Sequence, residues 1–217
     1  MVRSSFDLKL KELHQSLRDM GNHVEIQVKN SIIALKNHDI ELAEKIIKDD
    51  DIVDNYEAEI ESNCIKLLVT ENPLAVDLRK IFIATKIITD LERIADHAVD
   101  IAKITILLKD EEYVKNLTDI TRMGELVEKM IKGTLEAYVN MDVELSREIC
   151  DMDDEVDEIY ESIYMEVAEI MKVNPDAIKQ CSRFLIVSRL LERMADHTTN
   201  ICERIIYVET GERVELN

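Results

Sequence analysis

A chain of 217 residues falls in the range of one or two domains, and its 4 glycines and 2 prolines are too few turn formers for an all-β sandwich, a doubly wound sheet or a low-complexity chain. A formal charge of −19 repels phosphate backbones and anionic headgroups, so no nucleic-acid partner and no binding to a membrane surface are expected. Metal cations, or a basic patch on a partner protein, are what such a surface attracts.

Taken in chain order, the apolar periodicity predicts helices over about 4–37, 39–70 and 73–109, then 112–139, 141–172 and 175–209. The breaks carry their own signals. Asn37-His38-Asp39 and Asn140-Met141-Asp142 supply capping side chains between apolar runs, while Asn72-Pro73 and Asn174-Pro175 put an N-cap amide before a proline at the first helical position. Near the N-terminus, Asp7 and Lys9 interrupt the apolar core that a signal peptide needs, and Lys86 and Asp90 interrupt the greasiest stretch, Ile81 to Leu91. No membrane insertion and a cytoplasmic location are therefore expected.

The chain repeats itself. At an offset of 103, Met20–Leu42 and Met123–Leu145 agree at 10 of 23 positions; at an offset of 100, Leu91-Glu92-Arg93-Ile94-Ala95-Asp96-His97 and Leu191-Glu192-Arg193-Met194-Ala195-Asp196-His197 differ at one. The expected fold is all-α: two tandem three-helix bundles, six long antiparallel helices in total, with residues 1–109 as the first repeat and 110–217 as the second.

On the third helix Glu92, Asp96 and Asp100 share an arc of about 80° that points away from Leu91, Ile94, Ala95, Ala98 and Ile101. The second repeat carries Glu192, Asp196 and Asn200 in the same places. The second helices carry matching pairs, Asp50 with Asp54 and Asp153 with Asp157. Pro73 lies 19 residues from both Asp54 and Glu92, and Pro175 lies 18 from Asp157 and 17 from Glu192, so antiparallel helices folded at the prolines bring the pairs level. Glu57, Glu61 and Glu161 lie nearby. Carboxylates alone suit hard cations such as Mg²⁺, Mn²⁺, Ca²⁺ or ferric iron; the competing reading is a merely solvated acidic face.

The remaining candidates have plainer readings. His97 and His197 serve either as rim ligands or, more commonly for such residues, as interhelical contacts. Arg93 and Arg193 screen the acids, and His14, His23 and His38 are isolated. Cys64, Cys150, Cys181 and Cys202 form no metal-type or disulfide-type spacing and read as buried free thiols. There is no Gly-rich phosphate loop, no nucleophile elbow and no zinc-protease motif. A ferritin-like di-iron site would need Glu-x-x-His, whereas Glu92 and His97 are five apart. No enzyme activity is expected.

A duplicated bundle with Asp-Leu-Glu-Arg-Ile-Ala-Asp-His at 90–97 and Leu-Leu-Glu-Arg-Met-Ala-Asp-His at 190–197, each after a helix carrying Asp-x-x-Val-Asp, resembles the PhoU family along essentially the whole chain. The resemblance implies a cytoplasmic negative regulator of phosphate uptake. Such a regulator acts between the ATPase subunit of a phosphate ABC transporter and a sensor histidine kinase. Alternatives are a PhoU-like accessory of a phosphate permease without a kinase, or a carboxylate-bridged metalloenzyme. It also implies metal ions, as multinuclear iron or as manganese, magnesium or zinc, on Asp50, Asp54, Glu92, Asp96, Asp100, Asp153, Asp157, Glu192 and Asp196, with no organic cofactor. A homodimer is expected. Many members have glycine where this chain has Ala95 and Ala195.

Overall fold

The computed structural model describes residues 2–71 and 73–216, with side chains from Phe6 onward. The first repeat contains α1 (Val2–Asn37), α2 (Ile40–Lys48), α3 (Asp51–Glu71) and α4 (Ala75–Leu107). The second contains α5 (Thr118–Asn140), α6 (Val143–Asp151), α7 (Asp153–Val173), a 3-10 turn over Pro175–Ala177 and α8 (Ile178–Thr210). Among the described residues there is no strand. Each repeat is a bundle of three rods whose middle rod is made of two helices, α2–α3 in one and α6–α7 in the other.

That interruption corrects the continuous middle helices expected over 39–70 and 141–172. In the first repeat it falls at Asp49-Asp50, ahead of Asp51, a run of short acidic side chains that compete with helical backbone hydrogen bonds and favour a helix start. The new helices open on acids, Asp51 and Asp54 in α3 and Asp153, Asp154 and Glu155 in α7, where the positive end of the helix dipole favours them. The upstream turns form as expected: the Leu42 and Leu145 N–H groups donate to the Asp39 and Asp142 carboxylates at 2.9 and 3.0 Å. His38 and Met141, one residue before each cap, hold φ of 52° and 50°.

The proline starts shift slightly. Asn72 lies outside the described residues, and α4 begins at Ala75, after Leu74. Pro175 opens the 3-10 turn rather than α8 itself, and Asn174 makes no side-chain cap bond there. The repeat junction is longer than expected, with α5 starting at Thr118 instead of residue 112. Side chains of α8 hold this segment in a non-helical path. Gln180 Oε1 accepts from Val114 N–H at 2.8 Å, Gln180 Nε2 donates to Glu112 O at 3.0 Å, and Arg183 donates to Leu107 O at 2.8 Å and to Glu111 Oε1 at 2.9 Å.

The two bundles share one continuous apolar core running from Phe6 to Val208. α1 packs on α5 and α4 on α8, so these four helices form the interface between repeats. Two glycines set how closely α1 and α5 approach. A Cβ on Gly21 would land within the Leu135 side chain, and one on Gly124 would come to 2.7 Å from Ile32 Cγ1. Gly21 corresponds to Gly124 and Ile32 to Leu135 at the offset of 103, so this is one contact made twice about a pseudo-twofold axis. Gly21→Ala and Gly124→Ala should each destabilise the protein by about 1–3 kcal/mol, despite alanine's better helix propensity, because the partner side chain is buried and must repack. Urea denaturation midpoints check this.

Candidate functional site

α3 packs against α4 and α7 against α8, and the acidic pairs meet as the spacing requires. In the first repeat the carboxyl of Asp50 is held above its usual range by burial and by the charges of Asp54 and Asp96. Glu92 is raised likewise by burial and by Asp96, Glu57 and Asp54, against the opposing effect of Arg93. Four of the five first-repeat candidates therefore share one field. Asp100 is drawn aside: it accepts from Lys103 Nζ at 2.9 Å.

The second repeat is the more enclosed. Asp153, the first residue of α7, is only 8% exposed, and burial together with the charges of Asp196, Asp157 and Glu192 raises its pKa to about 7. Asp157 and Glu192 are raised by burial and then by Asp196. A cavity of about 420 Å³ opens here, lined by Asp157, Glu158, Tyr160, Glu161 and Glu192. Asp153 Oδ1 and Glu192 Oε2 are buried acceptors without a hydrogen-bond donor. Such atoms are costly unless something satisfies them, and for carboxylate oxygens sharing a field a proton, a cation or a bridging water does so.

Local cations partly answer the field. Arg93 reaches Glu92 at 3.4 Å and Asp96 at 3.3 Å, and Arg189 pairs with Glu192 while its guanidinium lies 6.0 Å from the centre of the Tyr160 ring. Among the described residues no three His, Cys, Asp or Glu side chains are drawn together as a ready metal cage. Like charges without a cation between them are expected to stand apart, so binding would require side-chain rotation. The donor set suits a hard cation by its chemistry and by its two orphaned oxygens.

The histidines take the interhelical role. His97 and His197 face one another across α4 and α8 with ring centres 5.9 Å apart. His197 Nδ1 lies 3.1 Å from Asp90 Oδ1, and Arg204 Nε donates to Asp90 Oδ2 at 3.1 Å. Asp90 was not among the sequence candidates; the signals for it were its charge within the apolar run Ile81 to Leu91 and its pairing with Leu190 at the offset of 100, a charge in one repeat against an apolar residue in the other. His97 keeps a buried Nε2 without a hydrogen-bond partner, and its pKa falls to about 4 through burial, Arg193 and His197, against the opposing charges of Asp100 and Asp96. Glu57, noted only as nearby, accepts from Thr89 Oγ1 at 3.1 Å and adds to the field on Glu92.

Asp153 titrates near pH 7 in the folded chain and near 4 when unfolded, so between those values the folded state holds the extra proton and stability falls as pH rises. In chelator, the melting midpoint should be higher near pH 5 than near pH 8. Asp153→Asn should raise the midpoint near pH 8 and flatten this slope; an unchanged slope would reject the assignment.

The PhoU domain family matches residues 17–105 and 120–205. The chain is 44% identical to the phosphate-specific transport system accessory protein PhoU homolog of Clostridium acetobutylicum, covering 100% of both chains, and 34% identical to that of Streptococcus pneumoniae, again over 100% of both. Its fold superposes on the crystal structure of the phosphate transport system regulatory protein PhoU from Streptococcus pneumoniae with a TM-score of 0.91, at 33% identity over 97% of this chain and 99% of that one. The crystal structure of PhoU from Pseudomonas aeruginosa gives a TM-score of 0.92 at 32% identity, over 95% and 100%. With both repeats matched and the whole length shared, the chain belongs to the PhoU family of phosphate transport system accessory and regulatory proteins.

Proposed function

We propose that this protein is a non-enzymatic negative regulator that works by contact in the cytoplasm, as a homodimer, between the ATPase subunit of a phosphate ABC transporter and a sensor histidine kinase. The observation that carries the reading is the end-to-end match to proteins named as accessories of phosphate-specific transport. The charge of −19 adds a physical means: acidic helices attract a basic partner surface through a complementarity that salt weakens. No helix among the described residues is long and apolar enough to cross a membrane, so the chain itself offers no transmembrane pathway for phosphate. The word accessory also favours a second reading, a transporter or permease partner with no kinase involved. Deleting the gene should leave phosphate-starvation genes expressed in phosphate-rich medium; normal repression would overturn the regulator reading. Capture of the tagged protein from phosphate-replete cells, with or without a kinase alongside the transporter, separates the two.

The same proposal assigns hard cations to the acid clusters, through Asp50, Asp54, Glu92, Asp96 and Asp100 in one repeat and Asp153, Asp157, Glu192 and Asp196 in the other. When bound, the metal would neutralise charge and tie α3 to α4 and α7 to α8, setting the shape of the surface a partner meets. The unsatisfied oxygens of Asp153 and Glu192 support this in the second repeat. Metal at about 100 times its dissociation constant adds roughly 2.7 kcal/mol of stability per site by mass action. Replacing Asp96 and Asp196 together by Asn should abolish most of that gain and slightly stabilise the chelated protein, since like-charge repulsion falls. Melting curves in chelator and then in Fe³⁺, Mn²⁺ or Mg²⁺ test both signs. An equal gain in wild type and variant would reduce the clusters to solvated faces.

A further inference from the structure

Between α1 and the junction of α2 with α3, the first repeat holds a cavity of about 270 Å³. Ile46 and Val53 give it buried apolar walls, and Ile26 and Ile52 give it exposed ones. Polar groups line it as well: His23, Gln27 and Asn30 on α1, Lys45 on α2, and Asp49, the residue that ends α2. Gln27 is only 8% exposed, and its Nε2 is buried without a hydrogen-bond partner. A buried amide left so is costly unless something in the cavity meets it. The terminal torsion of glutamine is soft, so either end of the amide can turn to face an occupant. Lys45 and Asp49 lie one helical turn apart with opposite charges, yet among the described residues neither forms an ion pair.

The duplication supplies an internal control. At the offset of 103, Gln27 corresponds to Met130, Asn30 to Gly133, Lys45 to Glu148 and Asp49 to Met152. In the second repeat Met130 is fully buried, and Ile149 seats on Gly133 so closely that a Cβ there would come to 3.0 Å from Ile149 Cδ1. Ile149, Ala137 and Cys202 thereby belong to the main core. Their counterparts in the first repeat, Ile46, Ala34 and Ala102, instead form a separate apolar cluster with Ala43 and Val99. The same helices close on one another when a methionine and a glycine face the middle rod, and two amides in those places leave a cavity. Closure was available to the fold, so packing alone does not explain the polar lining.

We propose that this cavity is a binding site for a small zwitterion with an aliphatic body, the class to which the branched-chain amino acids belong. Its volume lies just below the ~300 Å³ at which pockets for drug-sized ligands begin, so the occupant is smaller than those. The ligand carboxylate accepts from Lys45 Nζ and from the Gln27 amide, and the ligand ammonium donates to the Asp49 carboxylate. These pairings use the two charges that are not spent on each other and satisfy the buried amide. The aliphatic body lies on Ile46 and Val53, which a polar body would leave uncovered. A ligand with a single charge would meet only one of the two opposed groups, so the lining selects for both charges on one molecule.

The full chain, labelled with nitrogen-15 and held in chelator so that the acid clusters bind no metal, tests the site by titration with L-leucine. The expected result is a saturable set of amide shifts confined to α1 around residues 23–30 and to residues 42–53, with a melting midpoint that rises with leucine. Isovalerate, which lacks the ammonium, isopentylamine, which lacks the carboxylate, and glycine, which lacks the aliphatic body, should each bind at least about tenfold more weakly. Gln27→Met and Lys45→Glu install the residues of the second repeat, where the same helices pack, so both should fold; each should weaken leucine binding by about tenfold or more. No saturable shift at millimolar leucine, shifts centred away from these residues, equal binding of the single-charge analogues, or undiminished binding by the variants would each overturn the proposal.

Discussion

The contact on which the architecture depends is the reciprocal one between α1 and α5. Gly21 receives Leu135 and Gly124 receives Ile32, so each helix offers a notch to the other's branched side chain. Close approach along this seam lets α4 and α8 meet, and that meeting merges two small bundles into one core. A three-helix bundle of roughly a hundred residues can stand alone, but here the buried faces of α4 and α8 extend around each helix to serve both its own bundle and the other. A buried charge admitted to that interface is paired: Asp90 is held by His197 and Arg204 at 3.1 Å.

With the apolar faces committed inward, the acidic stripes are left along the grooves between the second and third rods. Their geometry follows from the breaks in the middle rods. Asp50 lies in the break itself and Asp153 begins α7, so each heads a helix whose dipole tolerates negative charge. The helix end lowers the cost of gathering carboxylates but does not remove it, as the raised Asp50, Asp153, Asp157, Glu92 and Glu192 show. The repeats settle that cost differently. In the first, Arg93 and Lys103 sit among the acids; in the second, Asp153 is buried and two oxygens have no donor. The second site thus has the greater demand for a proton or cation.

The repeats, the turns at Asp39 and Asp142 and the levelling of the acid pairs were legible because each rests on local spacing: a 3.6-residue period, a capping side chain, or equal arms about a hairpin. What escaped depends on residues far apart in the chain. The start of α5 at Thr118 is imposed by Gln180 and Arg183, more than sixty positions downstream, and nothing near residues 111–117 announces it. The breaks at Asp49-Asp50 and Met152 were concealed because apolar periodicity resumes nearly in phase after each. Asp90 lay in the open as a charge within an apolar run, but its partners His197 and Arg204 come from the other repeat.

The breaks recur in both halves, but Asp90 is a position where the duplicated halves differ. Asp90 stands against Leu190, Asp100 against Asn200, and Ala102 against Cys202. A duplicated fold gives both copies the same packing problem, so a position that packing alone controls has one good solution available to both. Where one copy holds an apolar residue and the other a charge or a thiol in the same helical contact, packing tolerates either, and the choice reflects something else. At Asp90 it orients His197 across the interface. At Cys202 it sets a buried sulfur 3.4 Å from the Thr134 hydroxyl. The second repeat accordingly contains the more enclosed carboxylates and the paired histidine, while the first supplies the same scaffold with Arg93 and Lys103 among its acids. The symmetry is a property of the backbone and not of the chemistry it carries.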